Sequence, residues 1–351
     1  MLTRSDRVIV GGGAVAVAFA GVTRYVHLGS VTAFAVAAVA VAMLATLVGR
    51  SVEQLGDRFG PGATGVLQSA LGNLPELFIG IFALRAGLVQ VVQAAIIGSI
   101  LGNILLVLGL AFLVGGLKHG RQQFDSTRAR TAIAMLILAV AAMVVPSLAH
   151  YVHTPAAKHE QALSSIVAIV LLVVFAFSVP ASLRREPGEV PDHEAEPPRW
   201  PLWLALGLLT AASVLAALVS DWFVHALTPA IEALNISQAF AGLVIVAVAG
   251  NAVENVVGIQ LAARNQSNYA LSVIINSPLQ IALVLAPVLV LISTVIGGAT
   301  LTLVFAPMLV AAVALSVITV AFIIIDGESV WLEGAALLGL YGVLATAFWW
   351  G

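Results

Sequence analysis

Apolar residues run along this chain in blocks of about twenty, each closed by a short polar or charged interval. A stretch of that length is what an α-helix needs to cross the hydrocarbon core of a bilayer. The blocks fall near 7–27, 31–50, 62–85, 89–116, 128–150, 162–183, 200–224, 238–263, 268–294, 299–325 and 330–350. One interval is of a different kind. Residues 183–200 read LRREPGEVPDHEAEPPRW, too acidic and too rich in proline to enter a membrane. The pattern predicts an all-α polytopic membrane protein of about eleven transmembrane helices. It divides into an N-terminal helix (1–30), a five-helix repeat (31–183), an acidic, proline-rich linker (184–199) and a second five-helix repeat (200–351). The N-terminal block follows Arg4 and Arg7 and has the outline of a secretory leader. Val8–Val26 is long enough to span, however, and is read as a retained helix.

The two repeats are marked by a motif used twice. Gly72-Asn73-Leu74-Pro75-Glu76 and Gly250-Asn251-Ala252-Val253-Glu254 sit inside separate apolar blocks, 178 residues apart (254 minus 76). The same offset relates Gly80 to Gly258, Ser99 to Ser277, Leu101 to Leu279 and Leu105 to Leu283. An odd number of helices per repeat forces the two copies into opposite orientations, the inverted design of many secondary transporters. Lys and Arg fix the orientation. With the N-terminus cytoplasmic, twelve of the 15 basic residues fall on the cytoplasmic side, and only Arg24, Arg85 and Lys158 on the other. The turn Asp326–Glu328 is the cytoplasmic interval without a positive charge.

Composition narrows the chemistry. With 61% hydrophobic and 9% charged residues, the chain is far from the roughly 25% charge of soluble domains. It has no cysteine, so disulfides, thiolate metal sites and a cysteine nucleophile are excluded. Neither a zinc motif such as H-E-x-x-H nor a Ser–His pair at membrane depth is present, so an enzyme is not expected. No nucleic-acid partner is expected. The partners are the lipid bilayer and small cations, and a homo-oligomer is compatible with the sequence.

An ionisable residue inside a membrane helix is costly and by default functional. Glu76 and Glu254 are two such residues at matching positions, and the nearest cations, Arg85 and Arg264, lie nine or ten residues on, toward the membrane surface. Asn73 and Asn251 stand three residues before them, on the same helix face. Pro75 should kink the first of these helices beside its carboxylate and free carbonyl oxygens. The next helix of each repeat adds Ser99 and Asn103, or Ser277 and Gln280, with Gly98, Asn276 and Pro278 nearby. All these side chains offer oxygen, and none sulfur or imidazole, a donor set suited to a hard cation such as Ca²⁺. Glu53 and Asp221 near helix ends are candidates for an ion or proton path, or else solvated interfacial acids. The glycines by themselves are as well explained by close helix packing. The seven histidines fall near helix ends or in loops.

These residues resemble the calcium/proton exchangers of the cation/calcium antiporter superfamily. The resemblance is carried by GNLPELFIGIFALRAGLVQVVQAAIIGSILGNILLVLGLAFLVGG (72–116) with Gln122-Gln123-Phe124 after it. It is carried again by GNAVENVVGIQLAARN (250–265), continuing to SPLQIALVLAPVLVLIS. It implies that Glu76 and Glu254 bind Ca²⁺ or protons, with Asn73 and Asn251 beside them. Ser99, Asn103, Ser277 and Gln280 match the second line of the family's site, and Glu53 the acid that ends its second helix. Asn255 stands where the family usually has His after the second glutamate, and Asn276-Ser277 where it usually has Gly-Ser. The first departure bears on ion selectivity and pH dependence and makes Asn255 a pathway candidate.

The expected function is exchange of Ca²⁺ for H⁺ by alternating access, with Ca²⁺ and H⁺ as transported ions and no cofactor. The expected place is a bacterial-style inner or plasma membrane. Exchange of a monovalent cation or Mn²⁺ for protons, Na⁺/Ca²⁺ exchange, and a passive cation channel remain the alternatives.

Overall fold

The structure is a computed structural model that describes residues 3–26, 28–59, 67, 71–183 and 199–350. The acidic linker, apart from Arg199, and most of residues 60–70 lie outside the described residues. The helices are α1 (Arg4–Tyr25), α2 (Ser30–Phe59), α3 (Leu74–Arg85), α4 (Val89–His119), α5 (Ser126–Tyr151), α6 (Glu160–Leu183) and α7 (Leu202–Leu234). They continue with α8 (Gln238–Gly250), α9 (Ala252–Ala263), α10 (Ser267–Ser293), α11 (Pro307–Ile324) and α12 (Trp331–Trp349). Two short strands, β1 (Gln122–Gln123) and β2 (Glu328–Ser329), pair antiparallel. Among the described residues, nine helices are long and apolar enough to cross a membrane.

The chain is an all-α polytopic membrane protein, and four details of the expected pattern are corrected. The block at 238–263 is two helices, α8 and α9, with a turn at Asn251. In the first repeat the chain turns at Gly72-Asn73 and α3 begins at Leu74, so Pro75 starts a helix instead of kinking one. Proline is well placed there, because the first-turn N–H groups have no helical partner. The second repeat breaks at the equivalent point without a proline, so the shared Gly-Asn marks the interruption. Next, α2 and α7 continue past their apolar blocks to residues 59 and 234, so Glu53 lies within α2.

The fourth correction concerns 299–325. Only 307–324 is helical; residues 301–306 are extended, with Leu301, Leu303 and Phe305 fully buried. Apolar content alone does not separate a buried extended segment from a helix. The backbone here is satisfied by side chains. Gln93 donates to Thr302 O and Val304 O, Ser147 donates to Leu303 O and accepts from Phe305 N, Ser164 accepts from Leu303 N, and Ser293 accepts from Leu301 N. Non-helical backbone among membrane helices requires such partners.

The chain forms two compact units, and they do not follow the repeats. One comprises residues 1–86, 173–235 and 249–253; the other comprises 87–172, 236–248 and 254–351. In the first unit α1, α2 and α7 pack together and α3 lies on α7. Phe34 and Phe223 stack at 4.9 Å between α2 and α7. Asp6 ties this unit at one end. It caps α1 through Thr3, pairs with Arg50 at 2.9 Å and accepts from the Trp200 indole at 3.2 Å. In the second unit α4 crosses α8 at paired glycines: a Cβ on Gly98 would lie 2.2 Å from Leu243 O, and one on Gly242 2.4 Å from Val91 O. Small residues at such crossings let the backbones touch.

The second unit also gathers three intervals that the charge bias assigned to one side of the membrane. Arg121 pairs with Glu328, Arg130 donates to Ile325 O, and Lys118 and His119 reach Ala263 O. The turn at Asp326–Glu328, which has no basic residue of its own, therefore shares its side with the basic intervals.

Candidate functional site

In the first unit the two motifs meet. Glu76 lies in the first turn of α3 and is 8% exposed; Asn73 and Asn251 are buried at the two helix interruptions. A Cβ on Gly250 would come 2.6 Å from Glu76 Cγ and 2.9 Å from its Oε1. The glutamate of one motif thus lies directly against the glycine of the other, in space that no other residue type would leave. The arrangement places a carboxylate beside a helix start, where N–H groups are unpaired and an anion is favoured. Glu53 and Asp221 belong to the same unit. Glu53 is exposed on α2, while Asp221 is on α7, its Oδ1 3.6 Å from Nδ1 of His225 one turn on. Ser220 beside it is fully buried, and among the described residues its hydroxyl has no partner.

The second unit holds the remaining candidates. Glu254 and Asn255 lie in α9; their side chains are outside the described residues. Ser99 and Asn103 are buried in α4, where Asn103 Nδ2 donates to Ser99 O at 2.9 Å. Ser277 is buried in α10 and Gln280 partly so, while Asn276 is exposed. Both helices widen into a π turn at this level, Gly102–Val107 in α4 and Ile281–Leu285 in α10. The two π turns stand at equivalent places of the repeats, and α10 packs on the first of them. A π turn leaves the helix ladder locally strained and is frequent at functional sites. A third π turn, Ala241–Val246, lies in α8 ahead of the second motif.

The π turns and the role of Gln93 were absent from the expectations. Gln93 had a signal: an amide within an apolar run has four hydrogen-bonding positions to satisfy. The π turns have none, since they change neither hydropathy nor period over so few residues. Among the described residues no group of three or more His, Cys, Asp or Glu is placed to hold a metal ion.

The family model for sodium/calcium exchanger proteins matches residues 29–183 and 204–350. The chain belongs to this family. Relatives more than 30% identical to it are named Ca²⁺/H⁺ antiporters, as the motifs' resemblance implies. It is 35% identical over 342 residues to a Ca²⁺/H⁺ antiporter of Aphanothece halophytica, covering 92% of this chain and 91% of the other. It is 38% identical over 328 residues to the Ca²⁺/H⁺ antiporter ChaA of Bacillus subtilis, covering 92% and 93%. The solved structure of native YfkE superposes with a TM-score of 0.83 at 33% identity, covering 97% of this chain and 98% of that one. The membership accounts for the two matched segments, each of which contains one Gly-Asn-x-x-Glu motif.

Proposed function

We propose that the protein is a secondary antiporter that moves Ca²⁺ out of the cytoplasm in exchange for protons, by alternating access, with its N-terminus cytoplasmic in a bacterial inner or plasma membrane. The observation that carries the reading is the buried Glu76 side chain lying against Gly250 of the second motif, in a chain whose relatives at 35% and 38% identity are named Ca²⁺/H⁺ antiporters. Burial away from water favours the neutral form of a carboxyl group, and an adjacent divalent cation favours the charged form. A site built on Glu76 and Glu254 therefore holds either Ca²⁺ or protons and is poorly stable with neither. Two carboxylates correspond to one Ca²⁺ against about two protons. The amide oxygens of Asn73, Asn251, Asn103 and Gln280, with the hydroxyls of Ser99 and Ser277, complete an oxygen donor set suited to Ca²⁺. Glu53, Asp221 and Asn255 are assigned to the route by which ions or protons reach it.

The test is uptake of ⁴⁵Ca²⁺ into everted membrane vesicles under an imposed pH gradient. The wild type should accumulate Ca²⁺, and collapse of the gradient should release it. Glu76→Gln and Glu254→Gln should each abolish the exchange while the protein still accumulates in the membrane. Near wild-type exchange by either variant would remove that glutamate from the site, and uptake driven only by a Na⁺ gradient would replace H⁺ with Na⁺ as the coupling ion.

A further inference from the structure

The helix that carries Glu254 is held at its far end by side chains to which the proposed exchange has given no role. α9 ends in a Schellman turn. Asn265 adopts the left-handed conformation (φ 61°), Asn265 N donates to Ala262 O, and Gln266 N donates to Leu261 O. Onto this turn the end of α4 and the connection that follows it place three more donors. Gln122 Nε2 donates to Ala262 O at 3.1 Å and to Asn265 Oδ1 at 2.9 Å, which uses both its hydrogens. Lys118 Nζ and His119 Nε2 lie 2.9 and 3.0 Å from Ala263 O. Cationic groups are favourable at a helix C-terminus. Lys118 and His119 are exposed, but Gln122 is 2% exposed and its place is built for it. A Cβ on Gly115 would fall 1.9 Å from Gln122 Oε1, so only glycine admits the amide there. The pairing of β1 with β2 fixes the backbone of Gln122 from the other side.

From this geometry we infer that Gln122 is a positioning residue for Glu254. A helix of this length moves as a rigid rod, and Glu254 stands eight residues, about 12 Å, from Ala262 along its axis. The other end of α9 is a turn at Asn251, which leaves the C-terminal clamp to set the depth and rotation of the glutamate. Gln122 is the buried, two-bonded member of the clamp. Releasing it lets α9 shift or rotate, and the carboxylate then meets Ca²⁺ in a broader range of poses. The inference rests on the antiport reading and deepens it.

The experiment compares purified wild-type protein with Gln122→Ala, Asn265→Gly and Arg121→Ala in proteoliposomes, reading initial ⁴⁵Ca²⁺ uptake against Ca²⁺ concentration under a fixed pH gradient. Gln122→Ala should raise the KM for Ca²⁺ about 10-fold with a smaller change in maximal rate, the low end of the range for an indirect partner of an ion ligand. Asn265→Gly keeps the left-handed turn, since glycine adopts it freely, but removes one of the two acceptors of Gln122. It should raise KM in the same direction by less. Arg121→Ala removes an exposed ion pair from the same connection and should leave KM unchanged. A merely structural role lowers the amount of folded protein but not the KM of what remains. A wild-type KM in folded Gln122→Ala overturns the inference. Where Gln122→Ala does not accumulate, Asn265→Gly decides: a raised KM supports the clamp and an unchanged KM overturns it. Absence of pH-driven uptake by the wild type removes the antiport reading, and this inference falls with it.

Discussion

The contact between Gly250 and Glu76 makes a quantitative demand. Gly250→Ala would add a carbon 2.6 Å from Glu76 Cγ. Non-bonded carbons prefer about 3.5–4.0 Å, so something must yield by about 1 Å. The alanine methyl is fixed to the end of α8 and has no rotamer to escape into. Cγ is the second carbon of the Glu76 side chain, in the first turn of α3, so the movement passes to the carboxylate or to the helix start. A misplacement of about 1 Å in a reacting group costs about 100-fold in rate. Gly250→Ala should therefore lower pH-driven ⁴⁵Ca²⁺ uptake by about 100-fold at matched protein level. Gly207→Ala is the companion, because a Cβ at Gly207 in α7 meets nothing within 4 Å. Its uptake should stay within about twofold of wild type, alanine being the better helix former. Immunoblotting and a detergent melting curve verify that both variants are folded. Gly250→Ala transporting at the rate of Gly207→Ala would refute the reasoning: the fit between the motifs would then be packing without function.

Two further substitutions test separate parts of the structure. Gly98→Ala places a Cβ 2.2 Å from Leu243 O and 2.4 Å from its Cα, atoms of backbone that cannot rotate away. It should cost about 1–3 kcal/mol, read as a lowered melting midpoint in detergent, and an unchanged midpoint would deny that α4 and α8 cross this closely. Asn255→His introduces an imidazole with an ordinary pKa of about 6.5. Its protonated form repels Ca²⁺, so the pH profile of uptake should gain a transition, with weaker uptake on its acidic side. Superimposable profiles for the two proteins would put residue 255 away from the ion path.

Much of this was readable from the chain because a membrane imposes simple rules. The all-α membrane class and the twice-used motif follow from hydropathy and from two carboxylates with no cation at their depth, whereas the helix number does not: nine helices of the described residues are long and apolar enough to span, against about eleven expected. The interruptions at Asn73 and Asn251 were readable only in part. Proline suggested a kink beside Glu76 in the first repeat, where the structure has a turn at Gly72-Asn73 and a helix start, and nothing but the repeat itself announced a break in the second. The extended stretch before Pro307 was hidden because Leu301, Leu303 and Phe305 add to an apolar count whether the backbone is coiled or straight. Its partners Gln93, Ser147, Ser164 and Ser293 are spread over 200 positions of sequence (93 to 293) and look like isolated polar residues until the fold assembles them. The two acids near helix ends pose a similar problem. Glu53 and Asp221 announce themselves by charge, but whether such a group faces water or protein depends on neighbours in other helices.

The extended stretch also sets an order of assembly. The amide of Gln93 and the hydroxyls of Ser147, Ser164 and Ser293 all belong to segments synthesised before it. Until residues 301–305 arrive, those four groups lack the backbone partners they hold in the finished protein. A nascent chain that stops short of Leu301 therefore carries polar side chains into lipid with their final bonds unmade. Translation of about the last seventh of these 351 residues works as a lock inserted from behind. Quality control that recognises exposed polar groups in membrane helices has a built-in signal for telling a finished chain from an interrupted one.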